Sequence, residues 1–212
     1  MNILLIDTCG ATGTIALADT EIIATATLPG RTASERLIPA IKNLLADQGL
    51  TSQSLGAIAV VHGPGSFTGV RIGLAAAKGL CEALAIPLIA ISRLAVLANL
   101  APPSAHRVHA LLDAGRNEFY YGEYVDGVCL RESLLTRDEL LSTITNHTVI
   151  ACEPTVAESL ALTLIPEPTA ADALPLALRR IHSESFDDIA TIDANYVRRT
   201  DAEIFAKPKP AQ

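Results

Sequence analysis

Basic residues are scarce in this chain: 16 lysines and arginines stand against 23 acids, a formal net charge of −7. Independent binding to nucleic acid needs clustered cations that displace counterions, so that class is disfavoured; a place in a complex with basic subunits stays open. No apolar stretch approaches the roughly 20 residues of a membrane span. Cys9, Cys81, Cys129 and Cys152 are scattered without CxxC spacing. That speaks against a metal knuckle or redox pair and for buried free thiols in a reducing cytoplasm. Among His62, His106, His109, His147 and His182 no two lie four apart, so no helix offers a two-histidine metal face. His106 and His109 fall at a linker–strand junction, where alternation puts them on opposite faces. The segment Met1-Asn2-Ile3-Leu4-Leu5-Ile6-Asp7 lacks the basic region of a signal peptide and reads as a strand.

What the chain does have is apolar substance. Half of its 212 residues are hydrophobic and 18% are charged, which is globular and long enough for one large domain or two small ones. Ile3–Ile6, Thr14–Ala18 and Ile22–Thr27 are three short runs joined by tight turns, an expected antiparallel meander. A helix is expected from Ser34, its N-cap, to about residue 48, with Leu37, Ile38, Ile41, Leu44 and Leu45 at helical spacing and Gly49 as its stop. Pro39 is expected in the first turn, where its missing N–H matters little. Strands at 57–61 and 87–91 flank a helix at about 69–85, and another helix spans about 93–100. Ala101-Pro102-Pro103-Ser104 reads as a linker. Beyond it the order partly repeats: Val108–Asp113 is an apolar strand ending in Asp, and Asp126-Gly127 signals a two-residue hairpin. A strand at 148–152 and helices at about 155–164 and 170–182 follow, and the tail Lys207-Pro208-Lys209-Pro210 reads as disordered. The expectation is an α/β chain of two related lobes, residues 1–103 and 104–212.

The most informative segment is His62-Gly63-Pro64-Gly65-Ser66-Phe67-Thr68-Gly69-Val70-Arg71-Ile72-Gly73, a glycine turn between a strand and a helix start. A helix N-terminus there can receive an anion, so the turn is either a phosphate cradle or a tight corner. Asp7 and Asp113 end equivalent strands; each alone suits a turn cap, and together with the glycine turn they suggest an ancestral nucleotide cleft. Gly65-Ser66-Phe67-Thr68-Gly69 departs from the nucleophile elbow because the serine directly follows the glycine, and neither Ser66 nor Ser92 has an identifiable base. Lys78 lies too deep in the helix for a P-loop lysine. The helix after the turn carries Gly69, Gly73, Ala76, Ala77 and Gly79 at helical spacing. With Val70, Leu74, Leu80 and the first-helix apolars, these residues fit either a protein interface or an internal core.

Ile6-Asp7-Thr8, Ser34-Glu35 with Leu37 and Pro39, the glycine segment through Gly73, and Asp113-Ala114 with Glu118 and Tyr120 together resemble the bacterial TsaB (YeaZ) family along nearly the whole chain. The resemblance implies a two-lobed actin/sugar-kinase/Hsp70-like fold of duplicated topology. It also implies a part in making N6-threonylcarbamoyladenosine at position 37 of tRNAs that read codons beginning with A. In that family the protein is a cytoplasmic, non-catalytic partner of TsaD, whose metal motif is a histidine pair four apart; this sequence lacks such a pair. A TsaE-like ATPase joins the assembly. By resemblance, the partner-binding residues are Glu35, Leu37, Ile38, Ile41, Leu45, Val70, Gly73, Leu74 and Ala77 on the first two helices. Asp7, Gly63, Gly65, Ser66, Gly69 and Asp113 would be a vestigial phosphate-loop-like set. No catalytic residue, metal or cofactor is expected. tRNA is met only through the complex, no membrane is involved, and the chain can form a homodimer when alone. The alternative is an active ATP-dependent phosphotransferase of the same fold using Asp7 and Asp113. Two positions depart from the family pattern: Ala33 before Ser34-Glu35, and Ala194 before Asn195-Tyr196-Val197-Arg198.

Overall fold

Short apolar runs with both faces buried dictate the architecture. The computed structural model describes residues 1–28, 33–144 and 148–197; the expectations for His147, Arg198 and the Lys207–Pro210 tail lie outside them. Strands β1 (Asn2–Asp7), β2 (Gly13–Ala18) and β3 (Ile22–Leu28) form the meander, and β4 (Leu55–Val61) and β5 (Leu88–Ile91) extend it on the other side in parallel. The sheet order is β3-β2-β1-β4-β5. Strands β6 (Arg107–Gly115), β7 (Glu118–Val125), β8 (Val128–Thr136), β9 (Thr148–Ala151) and β10 (Thr163–Leu164) make a second sheet of order β8-β7-β6-β9-β10. Its pairings repeat those of the first: two antiparallel, then two parallel. β1 and β6 hold the same central place, and the chain has the expected two-lobed, duplicated actin/sugar-kinase/Hsp70-like fold.

Helices fill the layers around these sheets. Leu4 and Ile6 of β1 face a core shared with α1 (Ala33–Asp47) and α2 (Phe67–Leu84), while Ile3 and Leu5 face the other side. There α3 (Arg93–Asn99) supplies Val96, and the 3₁₀ turn Ala170–Ala173 with α6 (Leu174–His182) supplies Ala170, Leu174 and Ala177. Leu94 and Leu97 of α3 turn instead to the second sheet, which buries its far face under α4 (Arg137–Thr143) and α5 (Pro154–Leu160). So α3 is sandwiched between the sheets, and residues 170–182, late in the chain, cover the first one. Chain order therefore stops following lobe order after β10.

Several local expectations need correction. α1 begins at Ala33, so Ser34 lies inside its first turn rather than capping it, and Pro39 sits mid-helix. There it removes one backbone hydrogen bond on an exposed face. α2 starts at Phe67 because Ser66 is its N-cap, its hydroxyl accepting the Gly69 N–H at 3.2 Å. α5 stops at Leu160; left-handed Ala161 turns the chain into β10, where a longer helix was expected. β8 runs on to Thr136, which starts α4 through a reciprocal capping box with Glu139. Asp126 and Gly127 both have positive φ, as a two-residue hairpin with right-handed strand twist requires.

The small residues of α2 have a packing explanation. A Cβ on Gly69 would run into the carbonyl oxygen of Thr8, and one on Gly73 into the Thr8 hydroxyl. The Thr8 hydroxyl in turn donates to the Gly69 carbonyl at 2.6 Å. Gly79, by contrast, faces open space. Gly69→Ala is expected to destabilise the fold by about 1–3 kcal/mol through overpacking. Gly79→Ala should stabilise it by roughly 0.5–1 kcal/mol, because alanine loses less backbone entropy in a helix. Urea midpoints of the two variants check both signs.

Candidate functional site

One interlobe cleft of about 460 Å³ is bordered by Cys9, Gly65, Ser66, Arg93, Asp113, Cys152, Glu153 and Glu167. Asp7 ends β1 but is buried and outside this lining, and Asp113 lies two residues before the end of β6 rather than at it, a correction to the expected strand end. Each acid is already engaged in its own turn. Asp7 Oδ1 accepts the Cys9 N–H at 2.8 Å, and Asp113 Oδ1 accepts the Gly115 N–H at 2.7 Å. The same two-residue reach recurs in both lobes, at the last residue of β1 and near the end of β6. It also realises the turn-cap role of Asp. Asp7 is 2% exposed, and burial pushes its carboxyl above the ordinary aspartate range against the pull of Arg93. Asp113 is exposed, and its N–H donates to Glu153 Oε2 at 2.5 Å.

The glycine turn borders this cleft but is pinned rather than open. Ser66 N–H donates to the Cys9 carbonyl at 2.8 Å, and a Cβ on Gly65 would strike that same carbonyl. Gly63 is pressed against the Asn195 carbonyl, and Gly69 against Thr8. The sequence-expected set therefore divides. Gly65, Ser66 and Asp113 line the cleft, Asp7 is buried outside its lining and bonded to the Cys9 N–H, and Gly63 and Gly69 serve backbone packing. The Ser66 hydroxyl is occupied as a helix cap and Ser92 caps α3, accepting the Leu94 N–H at 3.2 Å. Lys78 donates to the Ile192 carbonyl at 3.0 Å, anchoring the C-terminal segment.

Four residues that sequence reasoning did not select organise the cleft. Arg93, side chain 3% exposed, donates from Nη2 to Glu167 Oε1 at 2.6 Å. Burial opposes the Arg93 charge, but the surrounding negative groups, Asp7 foremost, hold the guanidinium protonated. Glu132 of β8 accepts from Ser92 Oγ and Tyr124 Oη, each at 2.5 Å, and from Asn195 Nδ2 at 2.8 Å. It thus ties α3, the second sheet and the C-terminal segment together. Burial raises the Glu153 carboxyl, with the Asp113 N–H pulling the other way. No local motif marks Arg93, Glu132, Glu153 or Glu167, because each acts on a residue far away in sequence.

Of the cysteines, Cys9, Cys81 and Cys152 are buried free thiols as expected, with burial pushing Cys152 up to about 11 and Cys81 up to about 12. Cys129 is exposed, a correction to that expectation. His109 is buried, with Nδ1 2.6 Å from Tyr121 Oη, while His106 is exposed and pairs with Asp126 at 3.0 Å, so the two do not converge. Among the described residues no three His, Cys, Asp or Glu side chains are grouped to hold a metal, and no helix is long and apolar enough to cross a membrane.

The expected partner-binding residues fall into three groups. Val70, Gly73, Leu74, Ala77 and Leu37 are buried within their own lobe, so their side chains are core rather than free surface. Ile41 and Leu45 are buried too but floor an apolar groove of about 420 Å³, together with Ile38, Lys42, Leu50 and Leu80. Ile38, at 51% exposure, and Glu35 stand out in solvent.

Two sheets of identical topology around an interlobe cleft define a two-lobed α/β protein of the actin/sugar-kinase/Hsp70 type. The family model described as "TsaD: tRNA N6-adenosine threonylcarbamoyltransferase" matches residues 14–145, more than half of the chain. The chain is 38% identical over 127 residues to the tRNA threonylcarbamoyladenosine biosynthesis protein TsaB of Escherichia coli, covering 58% of this chain and 55% of that one. It is 41% identical over 126 residues to the TsaB of Bacillus subtilis, with the same coverages. The chain thus spans about half the length of the curated relatives it matches. The solved structure of YeaZ from Pseudomonas aeruginosa superposes with a TM-score of 0.78 at 27% identity, covering 92% of this chain and 99% of that one. The chain belongs to the TsaB (YeaZ) family within this group.

The Glu153 environment gives a pH prediction. A carboxyl whose pKa is raised on folding favours the folded state fully below its unfolded value, about 4.3, and that contribution is lost as pH rises through the folded value. Glu153→Gln removes this loss while keeping an acceptor for the Asp113 N–H. Its stability relative to the parent should therefore grow between pH 4 and pH 7 in urea unfolding; a constant difference would show that Glu153 is not strained by burial.

Proposed function

We propose that this protein acts in N6-threonylcarbamoyladenosine formation on tRNA as a non-catalytic scaffold that binds a TsaD-like transferase. The observation that carries the reading is the disposition of the α1–α2 face: an apolar groove floored by Ile41 and Leu45 beside exposed Ile38, next to a helix whose Gly79 leaves open space. An apolar patch of this kind on a soluble lobe suits a protein partner. The names of the relatives, tRNA threonylcarbamoyladenosine biosynthesis proteins, support the process. The non-catalytic reading draws support from the local structural roles of Asp7, Asp113 and Ser66, each of which accepts a backbone N–H in its own turn or helix cap.

On this reading the partner grips Glu35, Ile38 and the groove, while Leu37, Val70, Gly73, Leu74 and Ala77 shape that face from beneath. The chain divides into lobes 1–103 and 104–212, with residues 170–182 strapped across the opposite face of the first; the C-terminal segment reaches α2 at Lys78, and among the described residues none of that segment lines the groove. A TsaE-like ATPase joins the complex, tRNA is reached only through it, and the protein works in the cytoplasm without a cofactor. Without a partner the same groove serves a homodimer.

Ile38→Asp places a charge on the exposed rim without entering the core. It should reduce capture of a co-expressed TsaD-like protein by tenfold or more while leaving the melting temperature within a few degrees of the parent. Undiminished capture would remove the α1–α2 face from the interface. Calorimetry of the pure protein with ATP and magnesium tests the alternative phosphotransferase: micromolar binding with turnover would replace the scaffold reading.

A further inference from the structure

The lining of the interlobe cleft includes an anion that belongs to the chain itself. Glu167 lies on the connector between β10 and the 170–173 turn, and its Oε1 takes two donors. One is Arg93 Nη2 at 2.6 Å; the other is the Ala11 N–H, in the turn after β1, at 3.2 Å. Arg93 is almost wholly buried, and its Nε is a further buried donor without a hydrogen-bond partner among the described residues. Gly10 makes the arrangement possible, since a Cβ there would collide with both Glu167 Oε1 and Arg93 Nη2. A guanidinium and a backbone N–H converging on one oxygen form an oxyanion site.

We propose that Arg93 and the Ala11 amide form an oxyanion pocket whose built-in occupant is the Glu167 carboxylate, and that this internal ion keeps the cleft closed to phosphate oxyanions. Asp7 stays beside Arg93, but removing Glu167 leaves buried guanidinium donors without a hydrogen-bond acceptor, which is unfavourable and creates demand for another. Glu167, 41% exposed, can be replaced without opening the core. Asp7, Asp113 and Glu153 stand near the same cleft and oppose a second anion, so the replacement binds weakly rather than tightly. This inference goes beyond the partner reading and does not depend on it.

The test is titration calorimetry with inorganic phosphate, at low ionic strength, on the parent chain, Glu167→Ala and Glu167→Gln. Glu167→Ala should bind phosphate at least tenfold more tightly than the parent and gain thermal stability from it. Glu167→Gln, which keeps an acceptor but no charge, should fall between them and decides the matter alone if the alanine variant does not fold. Adding Arg93→Gln to Glu167→Ala should abolish the gain. If the parent binds phosphate as tightly as Glu167→Ala, the carboxylate is not the occupant; if folded Glu167 variants bind no better than the parent, the pocket is not an oxyanion site. Either result overturns the proposal.

Discussion

The structure turns on the close approach of α2 to the end of β1. Thr8 donates its hydroxyl to the Gly69 carbonyl, and the missing Cβ atoms of Gly69 and Gly73 let the helix settle onto that strand end. Ser66 N–H on the Cys9 carbonyl fixes the turn one residue further along. Backbone contacts of this kind tolerate almost no added volume, because interiors are packed at crystal density. Once α2 is held there, α1 can lie beside it on the same face of the first sheet. The groove between those two helices is thus set by a contact on their opposite, buried side.

The same economy of volume governs the cleft. Its acids, its serine and its arginine are all present, yet each has been turned inward to a neighbour. Asp7 and Asp113 close their own turns, Ser66 caps a helix, and Arg93 is matched by Glu167. Glu132, receiving three donors from three parts of the chain, fixes the lobes around these contacts. Arg93 Nε is the exception, a buried donor with no hydrogen-bond partner among the described residues. On the α1–α2 face, Ile38 stands 51% exposed at the rim of the apolar groove.

Much of this was legible in order along the chain. Periodicity found the meander, the hairpin at Asp126-Gly127 and the aspartates at or near the ends of β1 and β6, since these depend on neighbours a few residues away. Helix boundaries were less legible: Ser34 looked like a cap, and Pro39 like a first-turn residue, because both patterns occur at helix starts, yet α1 begins at Ala33. The segment 155–164 read as one helix because nothing in its composition announces the left-handed Ala161. Partner residues were assigned to the first two helices by resemblance, and the apolar residues at helical spacing there describe a core face and an interface equally well. Leu74 and Ala77 proved to be core, and Ile38 surface.

Sequence alone determined the class of architecture. Two apolar runs each ending in Asp, each followed by antiparallel hairpin strands, and a glycine turn rich enough to admit a close helix are properties of local pattern, and local pattern survives in one dimension. The tertiary structure decided what those residues do. Arg93 meets Glu167 across 74 positions, Ser92 meets Glu132 across 40, and residues 170–182 return to cover the first sheet rather than the second. Such pairings carry no signal at either end of the sequence. They are chosen only when burial leaves a charge or a donor that must find its complement, and that demand exists only after the chain has folded around it.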